Sequence, residues 1–204
     1  MSTIASVTVI GAGNIGAAVA GIALKAGAPV QVLARDAAKA SAIDPRVTAG
    51  TIGDAITGDI VVLALPYPAY ADVLAAYPQG LAGKVVVDPS NPIDFATFDS
   101  VLEPGSSAAS ELATRLPGAA VVKAFNTNFA ATLASGVAGD APTTVLLAGD
   151  DEAKSALSAI IVAAGLRAAD AGALKRAVQL EAVGALQIAL AMGGQTAGGF
   201  VVLP

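Results

Sequence analysis

Short apolar runs recur along the chain, at Val7–Ile10, Pro29–Ala34, Asp59–Leu65, Lys84–Val87, Ala119–Phe125 and Thr143–Ala148. Asp59–Leu65 and Lys84–Val87 are apolar at consecutive rather than alternate positions, which predicts parallel strands buried on both faces. Helical spacing fills the gaps, over Ile15–Lys25, Asp36–Ala42, Ala69–Ala76, Ser107–Leu116, a segment from Asp150 to about Gly165, and a long final helix, Gly172–Met192. Asp150 reads as an N-cap, with Asp151 and Glu152 in the first turn to suit the helix dipole. Smaller expectations complete the pattern. Val47–Ala49 reads as a minor strand, and Thr51-Ile-Gly-Asp54 as a capping box opening another short helix. Asn126–Gly139 reads as a loop with one helical turn at Phe129–Leu133, and Leu166–Ala169 as a short strand. Strand and helix alternate without a linker or a repeat, so the sheet should be largely parallel and covered on both faces.

The first strand stops at a glycine. Gly11-Ala12-Gly13-Asn14-Ile15-Gly16 follows Val7–Ile10 directly, and a small-residue helix follows the glycines. Strand, tight turn and helix in this order hold a dinucleotide pyrophosphate. Gly11 allows the turn, Gly13 lets backbone approach phosphate, and Gly16 lets helix and strand pack closely. The helix N-terminus then presents free N–H groups to the anion. The expected fold is α/β, a Rossmann-type doubly wound and mostly parallel sheet with a C-terminal βαβ extension and a long final helix. Residues 1–125 form the nucleotide-binding portion and residues 126–204 the extension that completes the sheet.

The end of the second strand decides which nucleotide. A carboxylate there bonds the ribose 2′-OH of NAD. Here the strand ends Leu33-Ala34-Arg35, with Lys39 one helical turn on. Ala34 leaves room, Arg35 can grip a 2′-phosphate with two hydrogen bonds, and Lys39 adds a second cation. This favours NADP. Asp36 complicates the preference, since it can pair with Arg35 or bond a ribose.

Composition removes several alternatives. The 204 residues contain no cysteine and no histidine, so thiolate nucleophiles, thiolate metal sites and the commonest general base are absent, and no metal site is expected. The formal net charge is −5 with no basic run, which argues against nucleic acid as a partner. Met1–Leu24 is uncharged but lacks the basic start of a signal peptide. Ala182–Pro204 is uncharged and long enough to span a membrane, yet glycines and glutamines break it. It reads as a buried or subunit-interface helix with a glycine-rich tail, and the chain as soluble and cytoplasmic.

Ligands of such sheets bind beyond the carboxyl ends of the strands. Ala64-Leu65-Pro66-Tyr67, Asp88-Pro89-Ser90-Asn91-Pro92 and Ala124-Phe125-Asn126-Thr127 should therefore face the nicotinamide. Tyr67 and Tyr70 read as core or lid, and Asp88 as a turn cap or an acid. Asn126 caps its own turn or bonds a substrate carbonyl. No residue stands out as proton donor for a ketone or imine. Hydride exchange between two redox cofactors needs positioning and little else, which leans the chain toward that chemistry with no catalytic side chain.

These residues resemble the NADPH-dependent reductases of the deazaflavin coenzyme F420, the F420H2:NADP oxidoreductases. The likeness rests on Gly11–Gly16, Ala34-Arg35 with Lys39, Ala64-Leu65-Pro66, Val122-Lys-Ala-Phe-Asn-Thr127, Gly149-Asp-Asp-Glu152 and Asp170-Ala-Gly-Ala-Leu174. The resemblance implies that Ala12, Gly13, Asn14 and Ile15 hold the pyrophosphate and that Arg35 and Lys39 hold the 2′-phosphate. It further implies that Leu65, Pro66, Pro89, Ser90, Asn91 and Ala130 line the nicotinamide. The deazaflavin would stack there beside the last helix and tail, with Asn126, Thr127 and Met192 on the acceptor side. Family members are homodimers, which would give residues 126–204 the dimer interface as well. Two positions depart from the family: Ala12 replaces a frequent threonine, and Asn126–Phe129 replaces a His-Thr-Ile-Pro-like turn. The Lys-Ala-Phe-Asn-Thr form is equally similar to the cytosolic reductase domain of membrane metalloreductases, which pass hydride from NADPH to a flavin. A flavin, quinone or ferric acceptor is therefore the alternative to the deazaflavin. An imine reductase and a non-catalytic nucleotide sensor are further readings.

Overall fold

The computed structural model describes residues 4–78 and 80–202. Six parallel strands form the body: β1 (Val7–Ile10), β2 (Val30–Ala34), β3 (Thr48–Thr51), β4 (Ile60–Leu63), β5 (Val85–Asp88) and β6 (Ala120–Ala124). They lie in the order β3-β2-β1-β4-β5-β6, the order of a doubly wound dinucleotide fold. The strand direction of travel across the sheet reverses between β1 and β4, so a ligand crevice is expected at their carboxyl ends. Val9, Ile10, Val32, Leu33 and the whole of β4 are essentially inaccessible to solvent. Each such side chain contributes about 1.5–3 kcal/mol through burial. This is why these runs lack the alternation of a half-exposed strand.

Helices cover both faces. On one face α1 (Asn14–Lys25) packs its alanine-rich surface against the sheet, and α2 (Ala37–Ser41) closes the β2–β3 edge. On the other, α3 (Tyr70–Ala76) and α4 (Ala108–Arg115) cover β4 and β5. Ser107 and Ser110 cap α4 reciprocally through side chain and backbone.

The extension begins with α5 (Ala130–Ser135), slightly longer than the single turn expected, and a two-stranded ribbon of β7 (Val137–Ala138) and β8 (Ala141–Pro142). Then β9 (Thr144–Gly149), α6 (Asp151–Ala163) and β10 (Arg167–Gly172) form the βαβ unit. Its strands are parallel to each other, but β9 runs antiparallel to β6, so the unit joins the sheet upside down. Asp150 caps α6 by accepting from the Glu152 and Ala153 amides, as its sequence position predicts. Residues 172–176 are not the start of the last helix. β10 extends to Gly172 through a register shift beside β9, a 3-10 turn spans Leu174–Arg176, and α7 runs Ala177–Met192.

Two local expectations are corrected. Thr51–Asp54 opens no helix: the Asp54 carboxylate bonds back to the Thr51 amide and hydroxyl, at 2.7 and 3.1 Å, and closes a turn. Asp36 does not pair with Arg35; its carboxylate caps α2 through the Ala38 amide at 2.9 Å. No helix among the described residues is long and apolar enough to cross a membrane.

Candidate active site

Backbone meets backbone at the reversal point. Gly11 has φ +117°, and a Cβ there would sit 2.2 Å from the Ala64 carbonyl oxygen. A Cβ at Gly16 would sit 2.0 Å from the Gly11 carbonyl oxygen. Only glycine permits this contact between β1, α1 and the end of β4. Gly13 differs, since a Cβ there would meet nothing within 4 Å. It is the N-cap of α1, and no side chain caps that helix. The first-turn N–H groups are thus open toward a ligand, and the helix dipole favours an anion there.

A cavity of about 690 Å³ starts at Gly13, Asn14 and Ile15 and runs between Ala64–Pro68 and Pro89–Ile93. Phe95, Val101 and Ile188 of α7 close its sides. A second cavity of about 290 Å³ shares Asn14, Ile15, Pro89, Asn91 and Ile188 with it, and reaches Asn126, Thr127, Ala130 and Gln187. The fold therefore brings Gly13, Asn14, Ile15, Leu65, Pro66, Pro89, Ser90, Asn91, Asn126, Thr127 and Ala130 to two adjoining cavities, with Gly11 and Ala12 in the turn just behind. Every residue lining both cavities is uncharged, so the walls are apolar with a few neutral polar groups. Met192 lines neither cavity: it is 71% exposed at the end of α7, and Ile188, one turn earlier, takes the position beside them. Ala34 ends β2, and Arg35 and Lys39 follow it at the same carboxyl end of the sheet. Arg35 and Lys39 are exposed, and neither forms an ion pair among the described residues.

The turn after β6 is held in an unusual conformation. Phe125 is buried with φ +66°, a region a bulky side chain occupies only when its surroundings impose it. The imposing contacts belong to the next residue. Asn126 donates from Nδ2 to Asn91 Oδ1 at 2.9 Å and to the Leu180 carbonyl at 2.8 Å. Asn91 donates back to the Asn126 carbonyl. Asn126 therefore does not cap its own turn; it clamps the end of β5 to α7. Gly184 makes room for this, since a Cβ there would lie 2.2 Å from Asn91 Oδ1.

Beneath the 89–91 loop lies a group of buried charges that the sequence reading missed. Lys123 is wholly buried, with Nζ 2.9 Å from Asp88 Oδ2, 2.7 Å from Glu181 Oε1 and 2.5 Å from the Ser90 carbonyl. Asp88 also accepts from the Ser90 amide, which is the turn-capping role expected of it, and from Tyr70 Oη at 2.6 Å. Glu181 Oε2 accepts from the Ala108 amide at the start of α4. Burial pushes the Glu181 carboxyl up, partly offset by Lys123. Burial, with the neighbouring Asp88, holds the Tyr70 phenol well above its usual range. Tyr70 is core, whereas Tyr67 lines the cavity and donates to Glu111. Burial and that hydrogen bond push the Tyr67 phenol up to about 12. One signal pointed to Lys123: a single lysine inside Val121-Val122-Lys-Ala-Phe125, a strand with no solvent face, must find counter-charges.

Fold and corner together define a dinucleotide-binding protein of the Rossmann type. Residues 6–92 match the family described as NADP oxidoreductase, coenzyme F420-dependent. A protein of Arthrobacter sp. FB24, proposed to be an F420-dependent NADP reductase, superposes with a TM-score of 0.83 at 26% identity, over 98% of this chain and 100% of that one. A hypothetical protein of Sinorhizobium meliloti is 33% identical with a TM-score of 0.75, over 83% of this chain and 86% of that one. Metalloreductase STEAP3 of Rattus norvegicus is 31% identical over 179 residues, 87% of this chain, and the chain spans only 36% of that protein's length. A reductive aminase of Aspergillus terreus, at 23% identity, shares the fold with a TM-score of 0.66 over 94% of this chain and 61% of that one. Residues 6–92 thus carry the coenzyme F420-dependent NADP oxidoreductase domain, and NADP-linked reductases stand among the proteins the chain is similar to.

Proposed function

We propose that the chain transfers hydride between NADP(H) and the deazaflavin coenzyme F420, acting in the cytoplasm as a homodimer. The observation that carries this reading is the pair of adjoining, neutral-walled cavities that begin at the uncapped start of α1 and end against α7. There, the amides of Gly13, Asn14 and Ile15 hold the pyrophosphate, with Ala12 leaving the turn unobstructed. Arg35 and Lys39 hold the 2′-phosphate, beside the small Ala34. Leu65, Pro66, Pro89, Ser90, Asn91 and Ala130 line the nicotinamide, and Asn126 and Thr127 face the acceptor. When bound, the nicotinamide supplies the hydride chemistry. The protein's part is to place two rings face to face and exclude water, which the proline-stiffened loops and apolar walls suit. Tyr67 is no proton donor to the cavity, because its hydroxyl hydrogen is committed to Glu111. The outer face of α7 leaves Leu186 and Met192 exposed, an apolar surface that suits a second copy. Mixing the protein with reduced F420 and NADP⁺ should restore the absorbance of oxidised deazaflavin.

A flavin or ferric acceptor is the second reading. The 31% identity to a metalloreductase favours it, as does the Lys123–Thr127 turn. NADPH oxidation with FMN or ferric citrate, and none with F420, would select it.

A further inference from the structure

The mechanism above leaves Lys123, Asp88 and Glu181 without a task, although they are the most deeply buried charges beside the cavity. Three elements meet at Lys123 Nζ. Asp88 ends β5, Ser90 belongs to the loop that walls the cavity, and Glu181 lies on α7, the helix that carries Ile188 into both cavities. Glu181 in turn holds the start of α4 through the Ala108 amide. Burying one ammonium and two carboxylates is costly, and apolar side chains of similar volume would commonly serve stability as well or better. What such a cluster adds is direction, because short charge-assisted bonds fix distances that apolar packing leaves adjustable.

We propose that Lys123 and Glu181 are positioning residues: their ion pair fixes the 89–91 loop and α7 at the separation that holds the nicotinamide ring in one orientation. The proposal rests on the NADP(H) reading of the site. It concerns the ring end of the nucleotide alone, since the cluster lies under the loop that lines the ring and away from Gly13, Arg35 and Lys39. Loss of the tether should therefore loosen the ring while leaving nucleotide affinity, set by the phosphate contacts, nearly untouched.

NADPH itself is the probe, because nicotinamide fluorescence rises when the ring is immobilised in an apolar site. The full-length wild type is compared with Glu181→Leu, which removes the tether, and Glu181→Gln, which keeps one acceptor oxygen for Lys123 Nζ while giving up the one that serves the Ala108 amide. Expected is an emission enhancement on binding that falls by at least half in Glu181→Leu and recovers most of the loss in Glu181→Gln, with Kd within about twofold throughout. Bound NADPH as bright in Glu181→Leu as in the wild type would overturn the proposal. So would a Gln variant no better than Leu, or affinity lost in step with brightness. Should Glu181→Leu fail to fold, Asp88→Asn, which weakens the other arm of the cluster, must dim bound NADPH at unchanged Kd, and unchanged brightness there refutes the idea. Failure of the wild type to bind NADPH at all would instead overturn the nucleotide reading, and the two failures are told apart by the wild-type titration alone.

Discussion

Asn91 and Asn126 hold each other across the carboxyl ends of β5 and β6, each donating an amide hydrogen to the other at 2.9 Å. Asn126 adds a second donation to the Leu180 carbonyl, so one side chain joins two strands and the last helix. Replacing Asn126 by alanine leaves the Leu180 carbonyl and Asn91 Oδ1 without their donors. Urea denaturation should show a loss of about 2–4 kcal/mol.

Two glycines on exposed-looking helices should respond in opposite senses to alanine. At Gly21, in α1, a Cβ meets nothing within 4 Å, so Gly21→Ala should stabilise by about 0.5–1 kcal/mol through helix propensity. At Gly184 the Cβ lands on Asn91, so Gly184→Ala should destabilise by about 1–3 kcal/mol despite the same propensity gain. Thermal melts of the pair check both signs.

The Glu181 carboxyl is raised chiefly by burial, so its folded value exceeds its unfolded one. Its contribution to stability is then fully present below the ordinary glutamate pKa and is lost as pH rises through the raised folded value. Glutamine does not titrate. The Tm of Glu181→Gln minus that of the wild type should therefore become more positive between pH 4 and pH 7. A difference that becomes more negative would mean that Lys123 stabilises the carboxylate by more than burial penalises it.

On the proposed function Arg35 and Lys39 carry the choice of nucleotide. Arg35→Ala should weaken NADPH by about 10- to 100-fold, the worth of a charge-assisted hydrogen bond, and NADH by less than about twofold. Equal losses, measured by titration calorimetry, would show that Arg35 does not read the extra phosphate.

The buried strands were legible because a strand covered on both faces has few polar positions to confuse the pattern, and the glycine turn because Gly11 and Gly16 each answer a backbone contact. Distant partners were the illegible part. Thr51 and Asp54 satisfy each other within a turn just as well as at a helix start, and only the edge pairing of β3 with β2 decides between them. The strand expected over Leu166–Ala169 runs on to Gly172, where the helix was expected to begin, because β9 offers it a partner. Lys123 and Glu181 lie far apart in the chain, and nothing near either residue names the other. Met192 and Ile188 lie on the same helix, and only the turn of α7 decides that Ile188, not Met192, lines the cavities.

Gly13 tests the central claim most directly, because a Cβ there would meet nothing within 4 Å among the described residues. Gly13→Val should fold with a Tm lowered by no more than about 4 °C, the cost of a poorer helix cap. If the amides at the start of α1 hold the pyrophosphate, calorimetry should show NADPH binding weakened more than about tenfold. A valine variant that binds NADPH as tightly as the wild type would contradict the account.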